Sequence, residues 1–424
     1  MSHFVVENQS LCVPRQSQSQ GNNAVIAHST FSTTLPDNHV LIQLDRFGFS
    51  ANNITYQLLG EAPHYRYFDF HPAPESGAVN PKTYGLIPVW GFGTVLATSH
   101  PKVRKGDRVY GFFAPTKYLL LPVSTTDISK YAFYVPRPHL PEDRRPYNQI
   151  IRCANDPLYD PSPLAEDLTM LYRPLFWTSY WCEDWLYATK YRGATRILIS
   201  SASSKTAFCL AYRIKKRILR ENLDNIKVVG LTSQRNVDFT EQLGLYDDVL
   251  SYDDFERNPE FELESAVELW TYVDVSGNEE LNKRVFSFFS STGSSLKASI
   301  KLGMSNLSPG NSTTVDKRSP FSKSGADFAS TTDMEAFFTP EWLAIRRKEL
   351  SAAQIAEMQA EAWKELMVDG KDWVKIQRVN GPDEVLKAYD IVSKGKLGPD
   401  VGMIWSMWDE ENDLKKAKVG EGKL

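Results

Sequence analysis

From residue 197 onward the chain repeats one pattern, a short apolar run followed by a polar turn and a helix-like segment. ILISS, KVVGLT, DVLSYDD and ELWTYVDVSG read as buried strands, and Lys205 to Asn222 reads as a helix with a basic outer face. Strands that alternate with helices cannot pair as hairpins, so the pattern predicts a parallel sheet wound by crossover helices.

The first half of the chain follows another rule. VLIQLDRFGFS, residues 40 to 50, alternates apolar and polar positions as a half-buried strand does, then enters ANNITYQLLG. Residues 61 to 85 are aromatic and proline-rich, which suggests a long ordered loop over a pocket. In IPVWGFGTVLATSHPKVRKGDRVYGFF, residues 87 to 113, a glycine-punctuated strand leads through a turn into GDRV, and FFAPTKYLLLPVS returns to short strands. FVVENQSLCV reads as an edge strand in an otherwise loose stretch from 1 to 20. PRPHLPEDRRPYNQ, residues 136 to 149, is a proline- and charge-rich connector, ANDPLYDPSPLAED, residues 154 to 167, has similar turn chemistry, and the domain crossing is expected nearby. Residues 307 to 333 form a polar loop with few core formers. A helix pair follows from Pro340 to Leu366, with Arg346, Arg347, Lys348 and Glu349 as a solvated face. WVKIQRVNGPDEVLKAYDIVSKGKLGPDVGMIWSM closes the pattern as strand, helix, strand.

These boundaries need two cores, which 424 residues with 42% apolar content can supply. A net charge of -4 offers no electrostatic reason for a nucleic-acid or anionic-membrane partner. No run of eighteen apolar residues occurs and the N-terminus is too polar for a signal-peptide core, so a soluble, cytoplasmic protein is expected. The final GKL is similar to the peroxisomal SKL address, with glycine a poor substitute for serine. Cys12, Cys153, Cys182 and Cys209 show no knuckle or redox spacing and read as reduced thiols, Cys209 as a small buried hydrophobe. The seven histidines show no paired spacing, so no metal site is expected.

KGDRVYGFF with the upstream FGTV resembles the GroES-like half of the medium-chain dehydrogenase/reductase superfamily, and ILISSASSKTAFCLAYRI resembles the first strand and helix of its nucleotide-binding half. The resemblance runs from about residue 38 to residue 408. SSASSKTA, GLTSQRN and ANNITY are similar to an uncharacterised subgroup related to quinone reductases. It implies an α/β protein with a GroES-like, partly open β-barrel over 1–150, completed by 370–424. It also implies a Rossmann-type doubly wound parallel sheet over 151–335, with 336–369 a helical insertion. Where zinc-dependent members carry a cysteine this chain has Ser50, and where they carry GHExxG it has PVWGFG. Val89 then stands at the ligand histidine and Trp90 at the acidic position, and neither can donate a lone pair to zinc. The zinc-free branch follows, and a homodimer is implied by analogy.

At the nucleotide turn the resemblance places Ser201, Ser203, Ser204, Lys205 and Thr206, with Ser204, Lys205 and Ala207 at the usual glycine positions. Glycine there lets the backbone approach a pyrophosphate and adopt positive φ. Hydroxyls and a lysine offer partial compensation, and a turn closed to dinucleotides is the other reading. The second strand ends in Thr232, Ser233, Gln234 and Arg235 rather than an acid, which suits the 2'-phosphate of NADP. TSQRN is equally a polar cap for the next helix, with Ser233 or Asn236 as N-cap.

Related proteins line the active site with the segment after Gly48, which singles out Ser50, Asn52, Asn53 and Tyr56. An asparagine amide there suits a carbonyl or carboxamide oxygen, and Tyr56 suits a proton donor; NNIT is also simply a good turn into a helix. Trp90, Phe92, Trp177, Tyr180 and Trp181, with aromatics from 64 to 70, suit either the walls of a cleft for a flat small-molecule substrate or ordinary core. The expected function is zinc-independent, NADPH-dependent hydride transfer to an enone, quinone or acyl thioester. Its alternatives are a non-catalytic binding module, or a nucleotide-independent isomerase or dehydratase acting through Tyr56.

Overall fold

The change of period along the chain is a change of architecture. The computed structural model describes residues 4–16, 23–63, 65–257, 268–292, 295–302 and 334–409. These form two compact units, one reaching Leu171 and resuming at Ala360, the other built from the chain between. The 307–333 loop and the GKL terminus lie outside the described residues.

In the first unit the elements are β1 (Phe4–Pro14), β2 (Val25–Thr33), β3 (His39–Phe49), α1 (Ala51–Leu58), β4 (Tyr84–Gly85), β5 (Val89–Thr98), β6 (Arg108–Phe113), β7 (Tyr118–Pro122), β8 (Ala132–Tyr134) and β9 (Gln149–Arg152), ending inside α2 (Pro163–Ala188). The second holds β10 (Arg196–Ser200), α3 (Lys205–Glu221), β11 (Lys227–Thr232), α4 (Val237–Gln242), β12 (Asp248–Ser251), β13 (Leu269–Asp274), α5 (Glu279–Thr292), β14 (Ser295–Lys301), β15 (Glu335–Ala336) and α6 (Thr339–Glu349). The chain returns to the first unit within α7 (Ala352–Asp369) and adds β16 (Lys375–Asn380), α8 (Pro382–Ser393) and β17 (Val401–Ser406).

The second unit is the doubly wound sheet, in the order β12-β11-β10-β13-β14-β15 with parallel pairs throughout. In the first unit the two ends of the chain share one sheet, β16-β17-β3-β5-β6-β9-β8, with β7 also pairing β3. The units divide between Leu171 and Tyr172, inside a helix, rather than in the proline-rich connector. The connector instead folds as a 3-10 turn, Glu142–Asn148, against the first unit's core.

Two strands differ from expectation. β3 is buried along nearly its whole length rather than on one face. It pairs with β5, β7 and β17, and Leu41 packs on Leu96, Tyr118 and Trp408 with Val6 and Phe31 of the N-terminal strands beside them. β1 is correspondingly not an edge: it lies between β2 and β4. Sheet and hairpin cover β3 from both sides, and a period-2 pattern reports only one of them.

α2 is tied to the barrel strands by a buried ionic network. Arg46 Nε donates to Asp167 Oδ1 at 2.9 Å and its Nη2 to Glu166 Oε2 at 2.9 Å. Arg108 holds Glu166 and Asp45, and Arg378 of β16 closes on Asp167. In the second unit, Arg346 is not part of a solvated face. It pairs with Asp184 at 2.9 Å, beside the Trp342 indole, while Arg347, Lys348 and Glu349 are exposed. Two glycines position the aromatic loop: a Cβ at Gly60 or Gly85 would come within 2.5 or 2.3 Å of the Phe68 ring, so that ring fits only between them.

Candidate functional site

β10 ends in Ser200, and the chain turns over Ser201 into α3. Ser201 has φ +54°, the left-handed region that glycine ordinarily supplies, so a serine carries the turn at a conformational cost. Neighbouring hydroxyls hold it there. The Ser201 N–H donates to the Tyr252 hydroxyl at 2.9 Å, and the Tyr246 hydroxyl donates to the Ala202 carbonyl at 2.8 Å. Burial pushes the Tyr252 hydroxyl up to about 12, so it stays protonated. Ser204 is the N-cap of α3 and accepts from the Ala207 N–H, and the Thr206 carbonyl accepts from Ser179. On the other side of the turn Asp274, fully buried, accepts from Ser200, Ser276, the Gly277 N–H and Asn282.

The end of β11 divides into engaged and unengaged residues. Thr232 Oγ1 and Asn236 Nδ2 both donate to Ser203 Oγ at 3.1 Å, which occupies Ser203 and Thr232. Neither Ser233 nor Asn236 makes a side-chain cap bond. Capping therefore does not account for the hydroxyls of this loop. Ser233 and the exposed Arg235 have no side-chain partner among the described residues.

In the first unit, α1 is started by a reciprocal cap. Ser50 Oγ accepts from the Asn52 N–H at 3.3 Å, and Asn53 Oδ1 accepts from the Ser50 N–H at 2.9 Å. Asn53 Nδ2 donates to the Pro88 carbonyl at 3.0 Å, so Ser50 and Asn53 both serve the helix start. Asn52 and Tyr56 lie one turn apart on the same face, and the Asn52 side chain bonds the Tyr56 hydroxyl. The Trp90 indole N–H stands beside that hydroxyl without a well-formed bond. The Tyr56 ring lies 4.5 Å from Tyr67 and 5.4 Å from Phe112. Burial, and then Tyr147, push its hydroxyl well above the ordinary tyrosine range.

Around this core stand two residues that the sequence did not single out, Tyr147 and Arg144. Tyr67 hydrogen-bonds Tyr147, and Tyr147 lies 4.8 Å from Phe112 and 6.1 Å from Trp90. The Arg144 guanidinium, held by Asp143, stands 5.4 Å from the Tyr65 ring and 5.9 Å from that of Tyr147. Asn52, Trp90 and Tyr147 are half-buried, whereas Tyr56, Tyr67 and Phe112 form a buried floor. Phe92 packs on Tyr110 and Tyr159 as core of the first unit. Tyr180 and Trp181 are core of the second, beside Trp177. Among the described residues no three His, Cys, Asp or Glu side chains stand together as a metal site, and all four cysteines are free and buried. No helix among them is long and apolar enough to cross a membrane.

A family model described as a protein of unknown function, DUF2855, matches residues 47–398. The chain belongs to this family. The match runs from the end of β3 through both units to just before β17, so it includes α1, the aromatic loop, the turn into α3 and the end of β11. No curated protein matches the sequence of this DUF2855 chain. Among solved structures it is similar to an Etr1p mutant in complex with NADP and crotonyl-CoA, at 14% identity and TM-score 0.52, covering 95% of this chain and 100% of that one. It also matches CurA from Vibrio vulnificus in complex with NADPH, at 11% identity and TM-score 0.49, over 94% and 98% of the two chains. A third match is the yhdH oxidoreductase from Salmonella enterica in complex with NADP, at 14% identity and TM-score 0.45, over 94% and 99%. The fold is the two-domain fold of the medium-chain dehydrogenase/reductases.

Proposed function

We propose that this DUF2855 chain is an NADPH-dependent oxidoreductase that reduces a flat, carbonyl-conjugated small molecule without a metal. One observation carries the cofactor: at the end of β11, Ser233 and Arg235 have no side-chain partner among the described residues, while Thr232 and Asn236 on either side of them bond Ser203. A guanidinium and a hydroxyl at the strand end where NAD-selective sites place an acid suit a 2'-phosphate. The α3 N-terminus, with Ser204, Lys205 and Thr206, suits the pyrophosphate, and the left-handed Ser201 keeps the turn's backbone course. NADPH, when bound, supplies the hydride.

The chain's own part in the chemistry lies in the first unit. Tyr56 stays protonated and donates to the substrate carbonyl oxygen, and Asn52 orients that hydroxyl or adds a second donor. Phe112, Trp90 and Tyr147 present ring faces and edges to a flat substrate. One observation favours a nucleotide-independent protein instead: the Tyr252 hydroxyl already holds the Ser201 N–H. The two readings separate in a turnover assay following NADPH absorbance with a panel of enones, quinones and acyl thioesters. Oxidation that depends on substrate and falls in Tyr56→Phe supports the reductase. Inertness of a folded, NADPH-binding protein towards the whole panel counts against it.

A further inference from the structure

The polar atoms of the first unit's aromatic cluster are unbalanced. Arg144 gives Nε and Nη2 to Asp143 at 3.1 and 3.0 Å, and its Nη1 meets no acceptor among the described residues. Among the described residues the Trp90 indole N–H has no well-formed bond, and the Asn52 side chain bonds that of Tyr56. The hydroxyls of Tyr56, Tyr67 and Tyr147 can each donate as well as accept. Among the described residues Asp143 is the carboxylate that bonds this group, through Arg144. Two donors, Arg144 Nη1 and the Trp90 indole N–H, are therefore without a well-formed acceptor among the described residues, in a place where burial makes an unmet donor costly.

A second cation strengthens the imbalance. Arg137, buried, stacks its guanidinium 5.2 Å from the Phe70 ring, which itself lies 5.7 Å from Tyr147. It donates to the Phe70 carbonyl and Asn148 and touches His71, but has no acidic partner among the described residues. Burial holds the Arg137 charge down to about 10 and His71 far below its usual range, so the arginine stays charged and the histidine neutral at ordinary pH. The partner that such a cluster lacks is an oxygen acceptor with negative charge. The half-buried members, Asn52, Trp90 and Tyr147, are where it can enter.

We propose that this cluster binds a flat conjugated molecule carrying a carboxylate, with the charge held by Arg144 and the ring stacked among Trp90, Tyr147 and Phe112. This deepens the proposed function by naming a substrate class, and it rests on that reading only for calling the ligand a substrate. Calorimetry of the full chain, without nucleotide, compares trans-cinnamate with trans-cinnamamide, which share a shape and differ in charge. Cinnamate is expected to bind about tenfold tighter or better, as a charge-assisted pair exceeds a neutral one. Arg144→Gln is expected to abolish the preference. Asp143→Asn, which releases Arg144 from its partner, is expected to tighten cinnamate several-fold and leave cinnamamide unchanged, so the idea remains testable if the first variant does not fold. Equal affinities, no binding of either compound up to millimolar concentration, or weaker cinnamate binding by folded Asp143→Asn would overturn it. NADPH titrated separately distinguishes the cases: cinnamate preference without nucleotide binding removes the reductase reading alone, and nucleotide binding without the preference removes this inference alone.

Discussion

Tyr252→Phe separates what the nucleotide turn does for the fold from what it does for a ligand. The substitution keeps the ring and deletes a hydroxyl that accepts the Ser201 N–H at 2.9 Å. A neutral hydrogen bond of this kind contributes about 1 kcal/mol net. The free protein is therefore expected to lose about 1 kcal/mol in urea unfolding of the second unit. A bound pyrophosphate that takes the same amide no longer has to displace the tyrosine, so NADPH should bind roughly fivefold tighter, within about two- to tenfold. The opposite signs are the test. Tyr246→Phe is the control: its hydroxyl donates to the Ala202 carbonyl, which a phosphate cannot replace, so it should destabilise without tightening. Calorimetric titration of the three proteins reads both affinities. Weaker NADPH binding by Tyr252→Phe would make the hydroxyl a phosphate ligand, and unchanged affinity would mean that the Ser201 amide plays no part; either refutes competition between tyrosine and pyrophosphate for that amide.

Three further outcomes are expected. Arg235→Ala removes an exposed, unengaged guanidinium, so stability should be unchanged while NADPH weakens by about 1.5–3 kcal/mol and NADH hardly at all; an equal loss for both sinks the 2'-phosphate assignment. Tyr56→Phe should lower kcat with little change in NADPH affinity, and unchanged turnover on an active substrate removes Tyr56 from the chemistry. His71 is held neutral by burial and by Arg137, down to about 3 from 6.5. Its depressed value means that its contribution to stability is full above pH 6.5 and is lost as pH falls towards 3, on the order of a few kcal/mol. His71→Gln should flatten that part of the acid-unfolding profile, and a profile parallel to the native one would show that other groups cause it.

Legibility followed sequence distance. The strands and helix of the second unit were readable because each buries a continuous run beside its neighbour in the chain, as in β10, α3 and β11. The return of the chain to the first unit in β16, α8 and β17 was readable for the same reason. β3's second buried face was not, since the cover comes from a hairpin with no signal of its own in β3. The connector misled most. Its prolines and charges mark a linker, yet the same Pro146 helps a 3-10 turn set Arg144 inward and Tyr147 on the cluster. The available signal was the adjacent Asp143–Arg144 pair with a tyrosine after the proline. At the turn, the absence of glycine was visible in sequence; that Ser201 would adopt φ +54° under hydroxyls from Tyr246 and Tyr252 was not, because those tyrosines arrive from around β12. Likewise the bond between Thr232 and Ser203 was not legible, because it crosses twenty-nine residues of sequence.

The most direct test is calorimetric titration of the purified, nucleotide-free chain with NADPH and NADH side by side. Micromolar NADPH binding with clear preference over NADH is the predicted result, and it places Arg235 and Ser233 on the 2'-phosphate. No binding of either by a protein shown to be folded, or equal affinity for both, contradicts the account.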